Sequence, residues 1–305
     1  MGNPGNAAIE LTAVVVAVTG DEPRVLTVGD GLALPSGPFE SGHRTLQSGL
    51  REWVERQTHH PLGYMEQLYT FADRDRARED PKLSEDASLS EDGRVISISY
   101  LGLSREVQAA SGAIWRSWYG FLPWEDWRQG EPALIREIIL PRLAEWAGKA
   151  RGRRQRVELA FERWNEDFVL QRYELLFEAG LVLEAARERK VQNPLPGLAM
   201  AQDHRRILAT GIARLRAKIK YRPVVFELMP PNFTLLQLQR TMEALAGLRL
   251  HKQNFRRLID QQGLVEETGA VSTETGGRPA RLVRFRREVV EERAIGGTKL
   301  PLSRS

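Results

Sequence analysis

Cysteine is absent from this chain of 305 residues. That excludes a disulfide framework, cysteine-ligated zinc, iron–sulfur clusters and thiol nucleophiles. Long apolar runs are also missing: no uninterrupted stretch approaches the roughly 18–20 residues a membrane span needs. Met1 to Ala8 lacks the basic flank and apolar core of a secretion signal. The expectation is a cytoplasmic protein without a membrane partner. Histidine pairs at metal-ligand spacing are lacking, because His204 and His251 stand alone and the adjacent His59 and His60 would point about 100° apart on a helix. All four read as structural or surface residues. Neither a Ser-His-Asp arrangement nor an intact phosphate-binding glycine loop is evident.

What is present suits about two ordinary domains: 42% hydrophobic residues for packed cores and 28% charged residues for a soluble surface. The net charge of +4 is modest but unevenly placed. Residues 79–92 carry six acids against Lys82, whereas residues 278–287 hold Arg278, Arg281, Arg284, Arg286 and Arg287 with no acid. A basic block confined to one end suggests a local polyanion-binding face. The plainer alternative is a solvated arginine-rich edge.

Ala13–Ala17 and Arg24–Val28 are β-branched runs around Gly20-Asp21-Glu22-Pro23, which predicts a hairpin of buried strands. Gly29 to Pro38 reads as a loop. Leu46, Leu50, Trp53 and Val54 then recur at helical spacing behind a candidate N-cap, Thr45. Met65–Phe71 and Arg94–Leu103 read as strands bracketing a long acidic loop over 72–93. Helical patterns follow over Pro132–Ala147, Val157–Gly180 and Leu181–Lys190. Trp115, Trp118, Trp124 and Trp127 are read as a packing cluster rather than a ligand cage. Asn193 to Gly197 is the clearest linker.

Beyond it, helices are expected over His204–Lys220, Thr234–Ala246 (with Thr234 and Gln237 spaced as a capping box) and His251–Gln262. Two strand-like segments, Leu264–Glu267 and Leu282–Arg286, come after. This is the order of a winged helix-turn-helix. On the third helix Phe255, Leu258 and Ile259 share an apolar face expected to dock on the preceding helix. Lys252, Gln253, Arg256 and Arg257 lie early in the helix and largely off that face, where helix-turn-helix proteins meet base edges. Gln253 and Asn254 suit adenine, and Arg256 or Arg257 guanine. The wing arginines, Arg278 and Arg281 among them, suit phosphates or the minor groove.

Gly37 to Thr58 resembles the Nudix signature, which in words is glycine, five residues, glutamate, seven residues, Arg-Glu, an apolar residue, any residue, Glu-Glu, any residue, glycine. Gly37, Arg51, Glu52, Trp53 and Glu55 stand where that pattern places them, but His43 and Arg56 replace two glutamates and Thr58 the closing glycine. Family hydrolases hold magnesium or manganese with carboxylates on this helix. A guanidinium repels such a cation, so metal-assisted hydrolysis is not expected. Arg56, aided by Arg51, is a candidate for holding a nucleotide phosphate in the metal's stead. The alternative is that Arg56 simply pairs with Glu52 or Glu55.

Glu66–Phe71 with Arg94–Tyr100, Phe226–Arg240, Lys252–Arg257 and Gly277–Phe285 further resemble the Nudix-related transcriptional regulators of NAD biosynthesis. That resemblance implies a mixed α/β Nudix sandwich with added helices and a C-terminal winged helix. The expected division is a sensing and dimerisation domain over 1–195 (helical extension 104–195), a DNA-binding domain over 196–290 and a flexible tail over 291–305. It further implies a non-enzymatic homodimer on palindromic double-stranded operator DNA. Its effector would be ADP-ribose, NAD or ATP, in a pocket that includes Arg51, Glu52, Glu55 and Arg56. Two alternatives stay open: a nucleotide diphosphatase using Glu52, Glu55 and Glu40, and a nucleotide-responsive protein-interaction module.

Overall fold

The computed structural model describes residues 8–72, 95–106, 112–187, 191–220, 224–272, 279–286 and 288. The acidic segment 79–92, Arg278, Arg287 and the tail 291–305 lie outside the described residues. Strands β1 (Ala8–Thr19) and β2 (Glu22–Thr27) form the expected hairpin. They turn through Gly20 and Asp21, both left-handed (φ 58° and 64°). The six-stranded sheet runs β4 (Tyr64–Phe71), β5 (Val95–Leu103), β1, β2, β6 (Ile114–Ser117), with β3 (Ser36–Pro38) also on β1. β5 is parallel to β1, Ala8 facing Val95 and Val16 facing Leu103, and the remaining pairs are antiparallel. β3 lies in the stretch read as loop, and β6 has no counterpart in the sequence reading. Both are short and owe their form to register with a longer neighbour rather than to their own propensity.

β1 is buried on both faces, and the two-residue period divides its side chains between them. Leu11, Ala13, Val15 and Ala17 pack with Leu50 and Val54 of helix α1 (Leu46–Thr58). Val14 and Val16 point into the larger core opposite. α1 starts where expected: Thr45 accepts from the Ser48 amide and Ser48 returns the bond, satisfying two otherwise unpaired donors.

The helical extension departs from its expected form. Pro132–Ala147 contains a π turn (Ile135–Ile139) before α2 (Leu140–Ala147). The predicted helix Val157–Gly180 is broken into the end of α3 (Arg151–Val157), a π turn (Glu158–Glu162) and α4 (Val169–Glu178). At the break the Asp167 amide donates to Asn165 Oδ1 at 2.9 Å, a local bond that competes with the helix. Trp164 meanwhile leaves the helical path to stack on Trp127, ring centroids 4.1 Å apart. Of the predicted helix Leu181–Lys190, the described residues 181–187 hold the 3-10 turn Leu183–Arg187. Trp118 and Trp124 are fully buried, in keeping with a packing role.

Helix α5 (His204–Ile219) touches β1, β4, β5 and α4, and also α6 (Leu235–Ala246) of the C-terminal half. Gly211 brings its backbone against the sheet, since a Cβ there would lie 3.0 Å from Val14 Cγ1. One apolar core extends from Val14 through Trp118 and Leu208 to Leu238 and Val283. Within Asn193–Gly197 Leu195 is buried, its amide donating to the Leu181 carbonyl at 2.8 Å.

The junction is also ionic. Glu125 is fully buried and accepts from Arg172 Nε (2.6 Å) and Nη2 (2.8 Å) and from Arg216 Nη1 (2.7 Å). Burial would raise the Glu125 pKa, but the two guanidiniums hold it below the ordinary carboxylate range. Arg216 continues to the Leu245 carbonyl (3.0 Å), the Trp127 amide donates to the Gly247 carbonyl (2.8 Å), and the Tyr119 hydroxyl donates to the Ala244 carbonyl (2.7 Å). The last carbonyls of α6, orphaned by the helix end, are thus satisfied from the sheet-bearing half. Gly247 ends α6 in the left-handed region (φ 72°), where a Cβ would come within 2.5 Å of the Glu125 carbonyl.

Candidate effector pocket and nucleic-acid interface

α1 carries the degenerate Nudix positions. Gly37 on β3 is pressed by Trp53: a Cβ would fall 2.2 Å from the indole, whose Nε1 donates to the Pro38 carbonyl at 2.9 Å. His43 lies against Gly49 in the same way, its ring 2.7 Å from where a Cβ would be. The Glu40 amide donates to His43 Nδ1 at 2.9 Å, which leaves Nε2 to carry the proton and face Glu52 Oε2 at 3.6 Å. Arg56 Nη2 donates to Glu52 Oε1 at 2.5 Å, one turn away, and its guanidinium lies 4.5 Å from the centre of the Trp53 ring. Both positions where the signature has glutamate thus hold basic side chains directed at Glu52.

That arrangement does not fit a divalent cation. Glu52 faces two nitrogens and Glu55 is exposed; among the described residues no group of three or more His, Asp or Glu is placed to share a metal. The Arg56–Glu52 pair is about half exposed on both sides, so screening keeps its worth to roughly 0.3–0.5 kcal/mol and an incoming phosphate can replace the carboxylate. Arg51 has a different place from the one expected of a phosphate ligand. Its Nη1 donates to the Leu62 carbonyl and its Nη2 to the Gly63 carbonyl at 2.8 Å, fixing the entry to β4. Thr58, in the closing-glycine position, is buried and donates to the Val54 carbonyl at 2.6 Å. His60 bonds to Ser104 at 2.7 Å, burial holding its pKa below the usual imidazole value, and His204 Nδ1 accepts from the Leu34 amide at 3.0 Å. Both are structural, as the sequence suggests.

In the C-terminal half, Thr234 caps α6 through the expected box with Gln237. α7 (Lys252–Gln262) ends at left-handed Gly263. β7 (Val265–Ser272) and β8 (Ala280–Phe285) form the wing, tied to the rest by reciprocal backbone bonds between Phe233 and Val283 (2.9 and 2.8 Å). Lys252, Gln253, Asn254, Arg256 and Arg257 are all exposed on α7, and the described residues offer none of them an ion pair. Phe255 and Ile259 are buried as expected. Leu258 is a correction: it is 47% exposed and does not dock on α6. Arg281 pairs with Glu267 at 2.7 Å on the open face of the wing, and Arg284 with Glu266 at 2.7 Å.

α7 thus presents hydrogen-bonding and cationic side chains outward, backed by a wing whose arginines can trade an exposed carboxylate for a phosphate. Sequence reasoning missed the Glu125–Arg172–Arg216 cluster, since lone charged residues inside apolar periods carry no spacing signal.

Comparison with known proteins bears on both regions. Residues 225–285 match the family described as the NrtR DNA-binding winged helix domain. A curated relative, the "ADPR responsive transcriptional repressor NtrR" of Acinetobacter baylyi, is 44% identical over 88 residues, 29% of this chain. The alignment spans 35% of that relative's length. Among solved structures, Shewanella oneidensis NrtR in complex with a 27mer DNA superposes with a TM-score of 0.55 at 20% identity, covering 93% of this chain and 95% of that one. A MutT/nudix family protein from Enterococcus faecalis gives 0.53 at 14% identity over 94% and 89%. The chain thus shares the fold of NrtR, a Nudix-type sheet domain followed by a winged helix, and its likeness in sequence is most specific over the winged helix, residues 225–285.

Proposed function

We propose that this chain is a nucleotide-responsive transcriptional repressor whose winged helix grips operator DNA and whose Nudix pocket binds an effector without cleaving it. The carrying observation is the outward face of α7, where Lys252, Gln253, Asn254, Arg256 and Arg257 stand exposed within a domain matched to a DNA-binding family. ADP-ribose is the favoured effector over NAD or ATP, because the curated relative is named for its response to it. Arg56 would release Glu52 to take a phosphate, with Glu55 on the same helix face and Arg51 holding the pocket wall.

In this reading the protein acts in the cytoplasm as a homodimer on palindromic sites upstream of NAD-biosynthesis genes. The effector acts by binding two arrangements of the winged helices unequally. The pairing of Glu52 with Arg56 and His43 argues against diphosphatase chemistry.

The test is fluorescence anisotropy of the full chain on duplexes from such upstream regions, with ADP-ribose, NAD and ATP added in turn. Salt-sensitive, sequence-preferring binding shifted by ADP-ribose is expected. Absence of duplex binding would instead favour a protein-interaction role. Manganese-dependent turnover of ADP-ribose abolished by Glu52→Gln would restore the enzyme reading.

A further inference from the structure

α7 is less fully packed than its own period demands. Phe255, Leu258, Ile259 and Gln262 fall at i, i+3, i+4 and i+7, a single helix face. Phe255 and Ile259 are buried, but Leu258 borders a cavity of about 670 Å³. It is a cleft partly open to solvent, bordered by the end of α5, the 3-10 turn Val224–Leu228, α6, α7 and Phe285 of the wing. Phe226, Leu238, Met242, Leu258, Leu264 and Phe285 make the wall mainly apolar. Its size falls within the roughly 300–1,000 Å³ of small-molecule sites.

The charged lining leans to one sign: Arg216, Lys220 and Arg249 against Glu166. Arg216 is committed to buried Glu125, and Lys220 to Glu166 (2.8 Å) and Asp167 (2.9 Å). Arg249 is different. Its side chain is 55% exposed and its bond to Glu243 is a single 2.8 Å contact. Glu243 would keep the Gln239 side chain (2.9 Å) and the Leu250 amide (3.0 Å) if Arg249 turned away.

We propose that this cavity is a second ligand site, separate from the Nudix pocket, for an organic monoanion with an apolar body. The hydrocarbon or aromatic frame packs on Met242, Leu258 and Phe285, and the carboxylate meets Arg249. The site lies on the inner face of α7, while Lys252, Gln253, Arg256 and Arg257 are not among its lining. Asn254 does line it, so a ligand there would meet α7 beside Asn254 and leave the other four side chains presented to DNA uncovered. Binding stands on the cavity alone, whereas an effect on DNA rests on the function proposed above, so the two fail separately.

Isothermal titration of the full chain with decanoate, decanol and decylamine provides the test. Decanoate is expected to saturate at one per chain and to bind at least about tenfold more tightly than decylamine. Leu258→Trp fills the space, and its affinity for decanoate should fall by about tenfold or more with the melting temperature held or raised. Arg249→Gln should weaken decanoate about fivefold or more while leaving decanol within about twofold. Unsaturable uptake, or equal decanoate affinity in Leu258→Trp and the parent, would overturn the proposal. Should Leu258→Trp prove unfolded, Arg249→Gln decides: a loss shared equally by decanoate and decanol, or no loss, refutes the site. Concentration-dependent self-association that excludes decanoate and vanishes in Leu258→Trp would reassign the cavity to a contact between copies.

Discussion

α1 and α7 both carry candidate chemistry, and they dispose of their charges in opposite ways. On α1 the cations are already paired: Arg56 holds Glu52 at the surface, and Arg51 is bound to the Leu62 and Gly63 carbonyls. On α7 the cations Lys252, Arg256 and Arg257 are exposed and lack an ion pair among the described residues. A helix whose charges are internally satisfied binds a ligand by exchange, so its affinity is the difference between two pairings. A helix that keeps them in water meets a polyanion directly and releases counterions. The first suits a small effector that comes and goes, the second a nucleic-acid duplex.

The comparison is broken most forcefully at what holds the two helices in one body. Glu125→Ala leaves Arg172 and Arg216 buried without their carboxylate, which should cost about 3–5 kcal/mol of stability by denaturant titration. The sign with pH follows from the lowered Glu125 pKa. Its contribution is complete above the ordinary carboxylate range and is lost as pH falls through the folded value, so the parent should lose stability in acid by a step that Glu125→Ala lacks. A parent and variant with superimposable acid limbs would show that the cluster contributes little.

Next in size, Arg256→Ala or Arg257→Ala should each weaken operator binding by about 1–3 kcal/mol and relax base preference at one position. Arg51→Ala should leave operator affinity within about twofold, since its bonds tie α1 to the start of β4, away from α7. Equal losses from both helices would erase the contrast. A smaller change sharpens it from the other side. His43→Glu with Arg56→Glu returns carboxylates to the signature, and manganese binding by calorimetry should tighten at least about tenfold. Smallest is Arg281→Ala, which removes an exposed pair on the wing. No change in melting temperature is expected, while the slope of log affinity against log salt should fall by about one.

Much of this was legible from residue order. The N-cap at Thr45 and the capping box at Thr234 were readable from residue type and, for Thr234 and Gln237, from a spacing of three; the returning bond from Ser48 was seen only in the structure. The central hairpin and α7 followed from apolar period and glycine stops. The break near Trp164 was not legible, since the period of Val157–Gly180 continues through it and the contact with the distant ring of Trp127 accompanies the local Asn165–Asp167 bond there. β6 depends on its partner β2 across the fold. The site divides the same way: the pairing of Arg56 with Glu52 could be read from their spacing, but the capture of Arg51 by two carbonyls depends on where the chain folds back after α1.

α5 belongs to both halves at once. One flank is pressed to the sheet at Gly211, and its C-terminal turn reaches α6 through Arg216. A winged helix excised at residue 196 would bring into water an apolar flank shaped to fit β1, and the remaining sheet would lose its cover on that side. Any signal that displaces β1 has a rigid lever already in hand, and no hinge need be invoked.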